Sequence, residues 1–294
     1  MSNLPVALLA ISTAALGCGP ETVPAADGGN VDATTSDMAP PGDGVECDAP
    51  DMLVVLDRTQ SMHRRPDGTT PATHAESRWY IAIQAIEAVT VEFQATIRFG
   101  LELFPRDPGA GCVTLAERIG GTSATNVTCE EGEVLVQPAI STATAIGGVL
   151  DPETTKMCFS TPIGAALGTA RPALAAIQQP AREQYVMFVS DGADSCDDTL
   201  AITNTQALAA DGVKTFVIAF DSSGDEIDRG LLNDMACAGR TAPNFPTGCT
   251  IDVAGNYSAA DRDGATLFLD AADAASLTQA FTEIAGKVCC GCVL

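Results

Sequence analysis

Met52-Leu53-Val54-Val55-Leu56 runs directly into Asp57-Arg58-Thr59-Gln60-Ser61. Five consecutive apolar residues are too few for a helix and predict a strand buried on both faces, with a carboxylate where the chain leaves the sheet. Two further runs repeat the pattern: Tyr185-Val186-Met187-Phe188-Val189, followed by Ser190-Asp191-Gly192, and residues 215–220. Residues 97–104 predict another strand, in which Phe99, Leu101 and Leu103 alternate with Gly100 and Glu102. Helical spacing fills the intervals. Trp79, Ile83, Ile86 and Phe93 share one helical face, and Ile163, Leu167, Leu174 and Ile177 a second, with a kink expected at Pro172. A third face carries Leu277, Phe281, Ile284 and Val288. Buried strands alternating with helices predict an α/β fold, a doubly wound, mostly parallel central sheet flanked by helices in the Rossmann-like manner.

Charge narrows the function. The 294 residues hold 15 Lys plus Arg against 38 Asp plus Glu, a net charge of −23. Such a surface repels phosphate and argues against nucleic-acid binding. Two histidines leave little for a His-rich zinc site, whereas eleven cysteines point to an oxidising compartment. Residues 4–16 form an uncharged apolar run, too short to span a bilayer but suited to the core of a signal peptide over residues 1–17. The run ends in Ala15-Leu16-Gly17-Cys18, which resembles the lipobox of bacterial lipoproteins and implies a lipid anchor on Cys18. Removing Cys18 leaves ten cysteines, enough for five disulfides. Residues 18–46 are rich in Pro, Gly, Ala, Thr and Asp and read as a disordered, acidic tether, which leaves residues 47–294 as the folded domain.

Oxygen donors gather in three loops. Asp57-Arg58-Thr59-Gln60-Ser61 places three donors at alternate positions, as calcium loops do. Cys158-Phe159-Ser160-Thr161-Pro162 precedes a helix, and Ser190-Asp191-Gly192 follows a buried strand. In an open parallel sheet such loops meet outside the carboxyl ends of the strands. Their order and spacing resemble the von Willebrand factor type A domain with its metal-ion-dependent adhesion site, across about residues 50–288. The resemblance implies that Thr59, Ser61 and Thr161 supply hydroxyls and Asp57 and Asp191 carboxylates to Mg²⁺ or Mn²⁺, with Ca²⁺ as a third option. It also implies an open coordination position for a carboxylate of a protein partner. Within this architecture we expect Cys158 to bridge Cys196, Cys112 to bridge Cys129, Cys237 to bridge Cys249, and Cys47 to meet the cluster Cys289, Cys290 and Cys292.

The reading is therefore a cell-envelope lipoprotein of the outer membrane, a non-enzyme whose type A domain binds a protein through a divalent cation. Two rivals stand beside it: a structural envelope module with a vestigial metal site, and a metal-assisted hydrolase. His63 and His74 fall in the polar loop after Ser61, where no G-x-S-x-G elbow supports nucleophilic catalysis. The acidic groups around Asp194, Asp197 and Asp198 and around residues 221–228 read as solvated loops. The stretch between Cys112 and Cys158 matches no motif and is our candidate for encoding partner choice.

Overall fold

The computed structural model describes residues 48–125, 129–220 and 227–288. The signal peptide, Cys18, the tether, Cys47 and the three C-terminal cysteines lie outside the described residues.

The chain runs through β1 (Asp51–Asp57), α1 (Arg78–Phe93), β2 (Arg98–Phe104), β3 (Val113–Thr114), α2 (Leu115–Ile119), β4 (Glu133–Ala139) and α3 (Ala143–Val149). It continues through β5 (Lys156–Met157), α4 (Ile163–Ala175), β6 (Gln184–Ser190), α5 (Asp198–Ala210), β7 (Lys214–Ala219) and α6 (Arg229–Ala238). The last elements are β8 (Cys249–Ile251), β9 (Tyr257–Ala259), β10 (Leu269–Asp270) and α7 (Ala274–Val288). Six strands form one sheet in the order β10-β7-β6-β1-β2-β4, parallel throughout except for β4, which pairs antiparallel with β2.

The two-residue period of β1 builds two cores. Met52, Val54 and Leu56 pack with Trp79, Ile83 and Ile86 of α1 and with Leu277, Phe281 and Ile284 of α7. Leu53 and Val55 face the other way, onto Ile163 and Leu167 of α4, Leu208 of α5 and Leu231 of α6. Helices on both faces keep β1 dry at all seven positions, which is why its sequence runs apolar instead of alternating. Gly164 lets α4 and α5 approach, since a Cβ there would stand 2.7 Å from the backbone nitrogen of Ala201. Pro172 lies inside α4, and the helix ends three residues later, so Ile177 falls beyond it, packed against the same core.

Several elements have no clear sequence signal. β4 is a half-exposed edge strand containing Pro138, a residue that edges tolerate, and Gly100 of β2 faces it where a Cβ would meet Pro138 Cδ at 2.7 Å. β3, β5, β8, β9 and β10 are two or three residues long, too short for periodicity to register.

The alternation in β2 does not separate a dry face from a wet one. Glu102 is fully buried, and neither carboxyl oxygen has a hydrogen-bond partner. Burial pushes its pKa well above the ordinary 4.5. A folded pKa above the unfolded one makes Glu102's contribution to stability complete below about pH 4.5 and progressively lost as pH rises through the elevated value. Glu102→Gln should therefore stabilise the protein by roughly 1–3 kcal/mol at pH 8 and by much less near pH 4. Denaturant titrations at the two pH values check this, and an equal gain at both would contradict it.

Three disulfides join described residues: Cys112–Cys158, Cys129–Cys196 and Cys237–Cys249. The last agrees with the sequence reading, and the expected pairs Cys158–Cys196 and Cys112–Cys129 are corrected. The cause is the β3–β5 ladder, which sets Val113 opposite Met157 and Thr114 opposite Lys156. One step outward, Cys112 meets Cys158 at a Cα separation of 4.4 Å, leaving Cys129 and Cys196 for each other.

Candidate metal centre

The three loops converge. Asp57, at the end of β1, accepts from the backbone nitrogen of Thr59 at 2.7 Å on one carboxylate oxygen and from Ser190 Oγ at 2.6 Å on the other. The hydroxyls of Thr59 and Ser61 lie 2.8 Å apart, and Ser61 donates to Asp191 Oδ1 at 2.8 Å. The second loop is stitched to the first by backbone bonds, Gln60 N to Cys158 O at 2.7 Å and Cys158 N to Arg58 O at 3.1 Å. It is tied to the third by Thr161 N donating to Ser195 Oγ at 2.7 Å and Ser195 N donating to Thr161 O at 3.1 Å. A Cβ on Gly192 would lie 3.9 Å from Thr161 Oγ1, so the Thr161 hydroxyl faces the third loop. Asp57, Thr59, Ser61 and Asp191 thus belong to one hydrogen-bonded cluster at the carboxyl ends of β1 and β6, and Thr161 lies on the neighbouring loop, bonded through its backbone to Ser195.

Other polar residues have structural tasks. Asp194 accepts from the backbone nitrogens of Cys196 and Asp197 at 2.6 and 2.9 Å and from Gly164 N at 3.2 Å, so it fastens the third loop to the start of α4. Asp197 and Asp228 cap α5 and α6. These three are therefore more than solvated loop charges. His63 is buried, with Nδ1 against Gln60 O, and so departs from the polar loop expected; His74 pairs with Glu153 at 2.8 Å. Asp107 lies beside Cys112 and Cys158, but those sulfurs are bonded to each other and are not available as thiolate ligands.

Sequence reasoning overlooked Arg78. The first residue of α1, it is fully buried and donates from Nη1 to Asp191 Oδ2 at 2.7 Å, with Nη2 3.3 Å from Pro66 O. Its one sequence signal is a basic residue immediately before Trp79, where the apolar helix face begins, in a chain poor in basic residues.

The electrostatics suit a cation. The Asp57 carboxyl is pushed up to about 7, chiefly by burial and then by the charge of Asp191, against lowering by hydrogen bonds from Ser190 and Thr59. A buried carboxyl that resists ionising in the absence of a cation, beside the Asp191 carboxylate and two adjacent hydroxyls, forms an all-oxygen set that fits a hard divalent ion.

No family model matches the chain, and no curated protein matches its sequence. Solved structures do match its fold. Proximal thread matrix protein 1 of the mussel byssus aligns with a TM-score of 0.52 at 12% identity, over 83% of this chain and 49% of that one. The minor pilin PilB of Streptococcus sanguinis aligns with a TM-score of 0.55 at 15% identity, over 84% and 63%. Its topology and these neighbours decide the fold. It is a von Willebrand factor type A fold. The byssus protein has also been solved with zinc in its metal-ion-dependent adhesion motif, with a TM-score of 0.51 at 13% identity over 83% and 49% of the two chains. The type A chain described here spans less than two thirds of the length of each of these neighbours.

Proposed function

We propose that this type A domain binds a protein partner through a divalent cation held by Asp57, Thr59, Ser61, Thr161 and Asp191. The observation that carries the reading is the hydrogen-bonded chain Thr59–Ser61–Asp191 together with the buried carboxylate of Asp57. Asp57 and Asp191 would supply charge and the three hydroxyls neutral donors, in a site of Mg²⁺ or Mn²⁺ character, with Ca²⁺ also compatible. When bound, the ion offers an open position to a carboxylate and lets two acidic proteins meet. The zinc-occupied motif of the byssus protein supports the reading by fold likeness.

The surroundings suit binding. Phe159, 46% exposed on the second loop, offers an apolar contact beside the donor set. Cys112–Cys158 and Cys129–Cys196 fasten the segment carrying β3, α2, β4, α3 and β5 to the second and third loops, so we assign partner choice to that segment. A signal peptide, a lipid on Cys18 and the tether would place the domain in the cell envelope, at the outer membrane, standing off from the lipid surface. The described residues contain no helix long and apolar enough to cross a membrane. We read the chain as a non-enzyme, in which the hydroxyls and carboxylates of the cluster serve as cation ligands.

The test is a titration of the oxidised full chain with Mn²⁺, followed by paramagnetic resonance. Wild type should bind at a saturable site, and Ser61→Ala should weaken it by about tenfold or more, the equivalent of one lost ligand contact of roughly 1.4 kcal/mol. Equal binding by both proteins would favour a structural module whose donor set is vestigial.

A further inference from the structure

Arg78 places a permanent positive charge inside the donor set. Its side chain is fully buried, as is that of Asp191, and Nη1 lies 2.7 Å from Asp191 Oδ2, while Asp191 Oδ1 accepts from Ser61. Both oxygens of this carboxylate are thereby committed within the protein. Guanidinium stays charged at any pH the protein meets and cannot leave the site, because the backbone of residue 78 starts α1 and its nitrogen donates to Arg64 O at 2.7 Å.

We propose that Arg78 is a resident counter-ion that weakens cation binding at this site and keeps the loaded site positive, so that an anionic partner strengthens cation capture. The proposal rests on the cation-bridge reading above. Two ionised carboxylates and one guanidinium sum to a single negative charge, and a divalent ion then leaves one positive charge facing the open position. Without Arg78 the same ion would leave the loaded site neutral. Charge that cannot relax in a dry site acts over several ångströms, so a buried guanidinium must repel the ion while drawing a partner's carboxylate toward it. Arg78 is a positioning residue in this account: it orients Asp191 and sets the charge, without itself touching the ion or the ligand.

The experiment is calorimetric titration of Mn²⁺ alone into the oxidised full chain as wild type, Arg78→Lys and Arg78→Gln. Glutamine keeps a hydrogen-bond donor toward Asp191 and removes the charge, whereas lysine keeps the charge. The proposal expects Arg78→Gln to bind Mn²⁺ about tenfold or more tightly than wild type and Arg78→Lys to stay close to wild type. Without the ion, Arg78→Gln should unfold at a lower temperature than wild type. A residue that merely props the loops would not tighten metal binding while lowering stability. Equal or weaker binding by Arg78→Gln, with wild type binding normally, overturns the proposal and leaves the cation reading standing. No binding by any of the three proteins overturns both. Binding by Arg78→Gln alone supports the counter-ion role and removes the cation reading from the native chain. If Arg78→Gln is unfolded in EDTA, the fluorescence of Trp79, the chain's sole tryptophan, replaces calorimetry. Folding on addition of Mn²⁺ then supports the proposal, and failure to fold at any Mn²⁺ concentration overturns it.

Discussion

Asp191→Ala should lower the stability of the cation-free protein by about 3–5 kcal/mol, because it strips the buried guanidinium of Arg78 of the carboxylate it faces at 2.7 Å. Removing one member of a buried ion pair costs more than the pair contributes, since the remaining charge has been taken out of water. For a domain of this size the loss corresponds to a fall in melting temperature of roughly 6–20 °C. Arg78→Met placed on top of Asp191→Ala should recover part of it, because the stranded charge goes too; the two sites touch and their effects should not add. Thermal or denaturant unfolding of the two variants beside wild type measures this. A loss below 1 kcal/mol for Asp191→Ala would show that water reaches Arg78 and that the pair is not buried in solution.

Replacing Cys129 and Cys196 together by serine should cost about 4 kcal/mol, and replacing Cys112 and Cys158 about the same. The bridges close loops of 67 and 46 residues, and the entropy they withhold from the unfolded chain grows with the logarithm of that number. Cys237–Cys249, spanning 12 residues, should be worth about 3 kcal/mol. The first two also fasten the second and third loops, so their loss should weaken any cation response, whereas loss of Cys237–Cys249 should not. Denaturant midpoints together with cation titrations separate the two effects. A cation response that survives loss of both loop bridges would show that the loops hold their arrangement without them.

Much of this was legible in the residues. β1 and β6 announce themselves because both faces of each are covered, which turns a strand into an uninterrupted apolar run. Asp57, Thr59, Ser61 and Asp191 are legible because strand ends of an open sheet face one side, so donors far apart in the chain meet there. The pairing of Cys112, Cys129, Cys158 and Cys196 was not legible. It follows from a ladder two residues long, and no pattern in Val113-Thr114 or Lys156-Met157 marks a strand. Arg78 was hidden for a related reason: a charge at the start of an amphipathic helix ordinarily faces water, and only the fold reveals that this turn abuts the end of β6. Glu102 is similar, since an alternating strand suggests a wet face, whereas its carboxyl is buried against the chain at Gly132.

The central claim is that the three loops form a working cation site, and thermal unfolding of the oxidised full chain in EDTA and in Mg²⁺ tests it most directly. At a ligand concentration near 10 mM and a dissociation constant of about 1 mM, mass action stabilises the native state by roughly 1.4 kcal/mol. That corresponds to a rise of about 3–6 °C in melting temperature. The account predicts this rise in wild type and its absence in Asp57→Ala; identical melting of wild type in EDTA, Mg²⁺ and Mn²⁺ would contradict it.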